Sequence, residues 1–407
     1  MQNPTQIRFF DSRTPPHIAT LILLAGIPAL NMSIFLPSLT RMADFFQTDY
    51  ATMQFAVSGY LAATAILQIF VGPLSDRFGR RRIMLGALII FIAATLGALM
   101  TTSIAAFLAF RILQAVVATG IVLSRAIVRD IYPADESASK IGYVTMGMAV
   151  IPMIGPTIGG VLDQAFGWQS SFVFLSLAGA LVLAFAWFDQ GETVRGGGTT
   201  FAEQLRSYPD LLSAPRFWGY ALCAAFGSGS FFAFLGGAAY VADHIYGLSP
   251  MLTGTALGAP AIGYALGNFL TGRYAVRFGI DLMAMAGCIV SIAGLGVSLL
   301  VSLAGFNTAI LFFGFCTLLG LGNGLMLPNA TAGLLSVRPL LAGTASGLGG
   351  ALMIGGGAVL SQFAGSLLND GSGTIPLQAV MLASAVLALA SILVVMVRAR
   401  SLSRQVA

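Results

Sequence analysis

Gly72-Pro73-Leu74-Ser75-Asp76-Arg77-Phe78-Gly79 closes one long apolar run, and Gly272-Arg273-Tyr274-Ala275-Val276-Arg277-Phe278-Gly279 closes another 200 residues later. Glycine, arginine, phenylalanine and glycine recur at the same places in both. At the same offset Met153-Ile154-Gly155 returns as Met353-Ile354-Gly355. Two matches at one offset mark an internal repeat. Six apolar runs separate the copies, so each copy keeps its orientation in a membrane. This is a parallel repeat about an axis along the membrane normal, with a substrate site expected between the halves near the midplane.

The rest of the chain fits that frame. Of its 407 residues 57% are hydrophobic and 9% charged, more apolar surface than a soluble core could hide. Hydrocarbon accepts such a chain only as helices or a closed barrel, and continuous runs of roughly 20 apolar residues select helices. Twelve spans are predicted: 17–40, 51–73, 83–101, 104–128, 139–163, 169–189, 216–242, 250–272, 281–304, 308–336, 341–368 and 375–397. The expected fold is all-α, with an amino-terminal six-helix bundle at 1–189, a linker at 190–215 (Gly196-Gly197-Gly198, Pro209, Pro215) and a carboxy-terminal bundle at 216–407. Pro28 and Pro37 read as kinks in a retained first helix. Cys223, Cys288 and Cys316 lie inside apolar runs without paired spacing, so neither a disulfide framework nor a metal site is expected.

Charge placement gives orientation. Of 20 Lys and Arg residues, 18 fall on the face that holds both termini and the linker, Arg41 lies opposite, and Arg111 lies within a span. The acids divide 10 to 5 between the same faces. Positive charge marks the cytoplasmic face, so both termini are expected inside a bacterial inner membrane. The basic balance is thereby explained without nucleic acid.

Three groups of residues carry chemistry. Asp76 and Arg80, beside Gly72 and Gly79, can pair in the loop after the second span, with Arg77, Arg129 and Asp130 close to the same face. They read as a gate latch: Gly72 permits close helix approach, and Asp76 faces a helix N-terminus and pairs with Arg80 or Arg129. Arg111, with Gln114 one turn on, is a charge at a depth that costs several kcal/mol unless it meets water or a partner. Arg125 and Arg129 follow within about 40° of the same helix face, so a basic stripe is one reading and snorkelling anchors the other. Pro152, Gly155, Pro156, Gly159 and Gly160 make the fifth span kinked and groove-faced. Asn31, Ser33, Phe35, Tyr60, Met146, Phe231, Phe234 and Asn323 are candidates for lining a substrate cavity.

These motifs resemble those of the major facilitator superfamily. Gly72-x-Leu74-x-Asp76-Arg77-x-Gly79-Arg80-Arg81 is similar to its loop signature between helices two and three, and Arg111-x-x-Gln114 to the helix-four motif of proton-linked members, with Ala115 where glycine is usual. The fifth-span cluster resembles the antiporter motif of exporters. Ser33-Ile34-Phe35-Leu36-Pro37, Val128-Arg129-Asp130-Ile131-Tyr132 and Arg216-Phe217-Trp218 look like the twelve-helix drug:proton antiporters of the bicyclomycin/chloramphenicol-resistance group. That group has an acid in helix one where this chain has Ser33. The resemblance implies alternating-access export of small amphipathic or aromatic compounds by a monomer, without cofactor or metal, with protons as the coupling ion. The missing acid implies neutral or anionic substrates. Uptake of a metabolite on the same fold is the second reading. A membrane enzyme lacks a catalytic set: His17 and His244 stand alone at opposite faces, and no Walker-type motif occurs.

Overall fold

The computed structural model describes residues 7–132, 134–193, 209–338, 341–369, 371 and 373–406. Among them twelve long helical segments follow one another and no strand occurs. These are α1 (Ile18–Phe45), α2 (Tyr50–Phe78), α3 (Arg80–Met100), α4 (Ile104–Ile131), α5 (Ala134–Phe166), α6 (Gln169–Asp189), α7 (Pro215–Ile245), α8 (Pro250–Leu257 continued by Ala259–Phe278), α9 (Ile280–Leu303), α10 (Ala309–Ser336), α11 (Ala342–Ser366) and α12 (Ile375–Val406). Ten are long and apolar enough by themselves to cross a membrane. The other two are α5, with Pro152 and Pro156 inside it, and α8, broken at Gly258. Of the expected linker, 194–208 lie outside the described residues.

The repeat is visible in the backbone. Gly79 ends α2 at φ 93° and Gly279 ends α8 at φ 82°, a region that favours glycine. Arg77 stacks on the exposed Phe78 ring at 5.3 Å, and Arg277 on Phe278 at 5.4 Å.

The two prolines of α1 sit in different surroundings. Pro37 sits in a 3-10 turn, Leu36–Ser38, that redirects α1 before its last stretch. Pro28 stays inside the continuous helix Ile18–Ser33. Lacking an N–H, it frees the Leu24 carbonyl, and Gly120 of α4 lies so close that a Cβ there would overlap that oxygen. Ser124 Oγ donates to the Leu21 carbonyl at 3.0 Å on the same seam.

Lipid tails are as apolar as leucine, so helices associate here through close backbone approach. On α5, a Cβ on Gly155 would overlap Ser33 Oγ, one on Gly159 the Ile34 carbonyl, and one on Gly160 the Pro250 carbonyl. The fifth-span cluster therefore joins α5 to α1 within one bundle and to α8 of the other. Gly72 departs from expectation, because a Cβ there would meet nothing within 4 Å. The helix is open on that side, and close approach is not its role in this conformation.

The bundles meet at the end away from the termini. Tyr50 OH donates to the Gly236 carbonyl at 3.0 Å, Gln54 Nε2 to Ser361 Oγ at 2.9 Å and Ser58 Oγ to Gln362 Oε1 at 2.7 Å. Gln362 Nε2 returns a bond to the Ala51 carbonyl at 3.0 Å. The Tyr50 and Tyr240 rings lie 5.0 Å apart, and His244 stacks on Tyr240 at 4.2 Å. Asp49 caps the start of α2 by accepting from Thr52 N–H at 2.9 Å. Hydrogen bonding from the Thr52 side chain and then its backbone holds the Asp49 carboxyl below the usual carboxylate range.

Gly159→Ala is expected to lower the melting temperature in detergent by several degrees, whereas Gly72→Ala leaves it unchanged or slightly raised through helix propensity. Thermal unfolding of the two purified variants checks this, and equal losses would show that both glycines pack.

Candidate functional site

Arg111 is the largest fully buried side chain among the described residues, and no carboxylate lies within ion-pair distance. A guanidinium has five donors, so sealing it in a bundle requires acceptors and π-faces instead. Its Nη1 donates to Asn31 Oδ1 at 2.8 Å and to Gln114 Oε1. Its Nε donates to the Ala56 carbonyl at 3.2 Å, and Nη2 to the Asn31 carbonyl at 3.4 Å. The guanidinium carbon lies 4.2 Å from the Phe35 ring centroid, 5.1 Å from Tyr60 and 6.0 Å from Phe172. Gln114 is held in turn, donating to Thr95 Oγ1 at 2.7 Å, and Tyr60 OH donates to the Pro28 carbonyl at 3.0 Å. Four helices, α1 to α4, thus supply one neutral cage around one charge, and Phe172 of α6 closes a side.

Five sequence candidates, Arg111, Gln114, Asn31, Phe35 and Tyr60, meet in that cage. Ser33 lies on the same helix but turns away: its hydroxyl donates to the Ala29 carbonyl at 3.0 Å, and it packs against Gly155. Phe231 and Phe234 stack in the other bundle with centroids 6.2 Å apart, and Asn323 borders a small cavity between α7, α9, α10 and α12. The Met146 side chain lies outside the described residues. Thr95, Phe172 and the Ala56 carbonyl belong to the cage although nothing local in the sequence marks them.

The helix that carries Arg111, Arg125 and Arg129 changes its winding between the first and the second. Four residues of α4, Ala115–Ala118, wind as a 3-10 helix. At three residues per turn they add roughly 80° of rotation over an α-helix. Arg111 is buried, Arg125 half-buried and Arg129 exposed at the helix end.

The latch residues do form a network. Arg80 Nη1 lies 3.0 Å from Asp76 Oδ1 and donates to Ser75 Oγ at 3.0 Å. Its Nε and Nη2 engage both oxygens of Asp130, the latter at 3.3 Å. Arg129 takes no part among these contacts. The acid facing a helix N-terminus is Glu192, which sequence reading did not single out: it accepts from Arg80 N–H at 2.9 Å and Arg81 N–H at 3.3 Å, where α3 begins.

Two described acids are buried. Asp189 accepts from the Phe10 and His17 N–H groups, each at 2.8 Å. Neither oxygen of Asp163 receives a hydrogen bond, and its charge partner is Arg41, half exposed at the far end and 3.6 Å away. Asp163 lies in the last turn of α5 and is 1% exposed. Among the described residues no group of three His, Cys, Asp or Glu could hold a metal ion.

Comparison with known proteins follows this geometry. A profile described as Major Facilitator Superfamily matches residues 21–361. The chloramphenicol resistance protein of Pseudomonas aeruginosa is 31% identical over 82% of this chain and 82% of its own. Multidrug resistance protein D of Escherichia coli K12 is 29% identical over 88% of this chain and 90% of its own. The bicyclomycin resistance protein homolog of Haemophilus influenzae is 27% identical over 87% and 89%. Among solved structures, a bacterial homologue of the human lysosomal transporter Spinster superposes with a TM-score of 0.73 at 19% identity, covering 94% of this chain and 96% of that one.

Arg111→Lys is expected to destabilise the protein by about 3 kcal/mol, because an ammonium cannot reach the acceptors a guanidinium fork spans. Asn31→Leu should cost less, since Gln114 and the Ala56 carbonyl remain. Chemical denaturation of both variants in detergent gives the order, and a reversed order would remove Arg111 from the centre of the cage.

Proposed function

The chain belongs to the major facilitator superfamily, and from that premise we propose that it exports small amphipathic, neutral or anionic compounds from the cytoplasm by rocking its two bundles. The observation that carries the charge preference is Arg111: a buried guanidinium with no acid near it. In water-poor surroundings at effective dielectric of ~20, two like charges ~4 Å apart repel by about 4 kcal/mol, so a lipophilic cation is disfavoured beside it. The drug-resistance names of the relatives support export over uptake. Hydrogen bonding between the bundles at the far end supports a conformation that opens toward the termini face. Eighteen of 20 basic residues on that face support its being cytoplasmic, with both termini inside. The boundaries 1–189, 190–215 and 216–407 are the units that would rock.

On this reading the coupling proton is carried by Asp163. Its carboxylate lacks donors, unlike Asp189, and it stands at the meeting of α1, α5 and the far end of α7, where Ser33 has left helix one without an acid. The gate residues Gly72, Asp76, Arg77, Gly79, Arg80 and Asp130 would shape the cytoplasmic side.

Efflux from cells and proteoliposomes, measured with ethidium-like cations, phenicol-like amides and organic acids, tests the proposal. Neutral and acidic compounds should leave at least tenfold faster than cations. Strong cation export by wild type, unchanged in Arg111→Ala, would overturn the charge reading. Asp163→Asn should abolish export driven by an imposed pH gradient while leaving substrate exchange across the membrane. If both persist, Asp163 carries no coupling proton.

A further inference from the structure

Three sulfur-bearing side chains from three helices of the carboxy-terminal bundle meet beside one small cavity. Cys223 lies on α7, Cys288 on α9 and Met326 on α10, and each is at most 2% exposed. All three belong to one apolar cluster, and the Cys223 and Cys288 side chains are close enough to interact directly. Gly227, one turn after Cys223 on the same helix, makes room for the third sulfur. A Cβ there would overlap Met326 Cε and lie 3.1 Å from its Sδ. Gly287, immediately before Cys288, does the same from α9, since a Cβ on it would lie 2.9 Å from Met326 Cβ. Met326 therefore packs against both cysteine-bearing helices.

The cavity beside them measures about 10 Å³, room for a single water-sized body. Cys288, Met326 and Asn323 line it, with Ser230 and Ser291, and no carboxylate or imidazole does. Elsewhere in this bundle glycines bring backbones into contact, as Gly263 does against the Thr317 carbonyl. Here space for one body is left beside sulfur. Calcium and magnesium take several oxygen ligands, and zinc takes four ligands in a tetrahedron, so this lining serves none of them. Thiolate and thioether donors select soft cations instead.

We propose that Cys223, Cys288 and Met326 form a binding site for a thiophilic cation of the cuprous, silver or mercuric kind. Charge decides which complexes the bundle accepts, because a charge sealed in apolar surroundings is costly unless its ligands cancel it. A mercuric ion held by two thiolates is neutral. A cuprous or silver ion is neutral with one thiolate and the neutral sulfurs of the other cysteine and Met326. The thiolate is the ligand, so a cysteine gives up its proton on binding. With mercuric chloride, two S–H bonds break, two S–Hg bonds form, and two protons and two chloride ions leave to water. The pair gains over a single thiol because the second sulfur binds within the same complex, at high effective concentration. Cys316 lacks that gain, since it sits in a different apolar cluster with no second cysteine.

The test uses the full chain in detergent micelles, reduced and freed of reductant, with mercuric chloride as the probe. Wild type should retain one mercury per chain after a wash with excess glutathione. Cys223→Ala and Cys288→Ala should each lower that retention at least tenfold, Met326→Leu two- to fivefold, and Cys316→Ala not at all. Zinc offered in the same way should wash out. Native mass spectrometry of the loaded Cys316→Ala chain should show one added mercury and two lost hydrogens, the mark of two protein thiolates. Bound mercury should raise the melting temperature of wild type and leave that of both cysteine-pair variants unmoved, because it ties α7 to α9. Equal retention by wild type and Cys223→Ala, or equal retention of zinc, overturns the proposal. A mercury carrying chloride or glutathione on a single protein thiol is an adventitious adduct only and overturns it too. If an alanine variant of the pair fails to fold, the mass of the loaded Cys316→Ala chain still decides. No step of the test depends on transport, so its failure is separate from that of the export reading.

Discussion

A backbone N–H or C=O inside hydrocarbon has no water to turn to, so each break in a helix must be answered by a neighbour. Two breaks near the site show how. Pro28 frees the Leu24 carbonyl, which Gly120 closely approaches from α4. Tyr60 donates to the Pro28 carbonyl itself. The 3-10 winding of α4 at Ala115–Ala118 follows directly on the turn that carries Arg111 and Gln114, so the irregular stretch adjoins the site. Glycines at helix crossings do the remaining work, since only a missing Cβ lets two backbones come that close.

The same constraint governs charge. Besides Arg80, three buried charged groups among the described residues are handled in three ways. Arg111 is enclosed by amides, carbonyls and aromatic faces with no counter-ion. Asp189 takes two backbone N–H donors from the segment that precedes α1. Asp163 has one guanidinium at 3.6 Å and no hydrogen bond. A fully bonded charge is fixed in place, whereas a charge with a single partner can change state without dismantling a network. This separates Asp163 from the other two more sharply than burial does.

The described hydrogen bonds between the bundles at the far end are neutral. Tyr50, Gln54, Ser58 and Gln362 bond across the seam without a single ion pair among them. Neutral hydrogen bonds each add only about 1 kcal/mol net, which suits a seam that must form and part. The termini face is different in kind: Arg80, Asp76, Asp130 and Glu192 form a charged network at the water boundary, where its parts can be exchanged for solvent.

Composition and the run of apolar segments determined the helical membrane fold, and the 200-residue offset determined that its halves repeat, because periodicity and charge asymmetry are properties of the chain itself. Arg111 was legible for the same reason: a charge inside an apolar run needs partners wherever the run ends up. The identity of those partners was not legible. Asn31 and Tyr60 could be named as polar residues in nearby spans, but Thr95, Phe172 and the Ala56 carbonyl become neighbours only when α2, α3, α4 and α6 cross. Local winding, which sequence spacing assumes constant, changes at Ala115, between Arg111 and Arg125. Gly72 and Gly159 are alike in sequence, yet one faces open space and the other a carbonyl oxygen. Glu192 carries no motif of its own, and what gives it a role is that the end of α6 comes to lie beside the start of α3. Sequence sets what each segment must be. Which side chains share a few ångströms is decided by helix crossings, whose angles and offsets arise from all the packed surfaces at once.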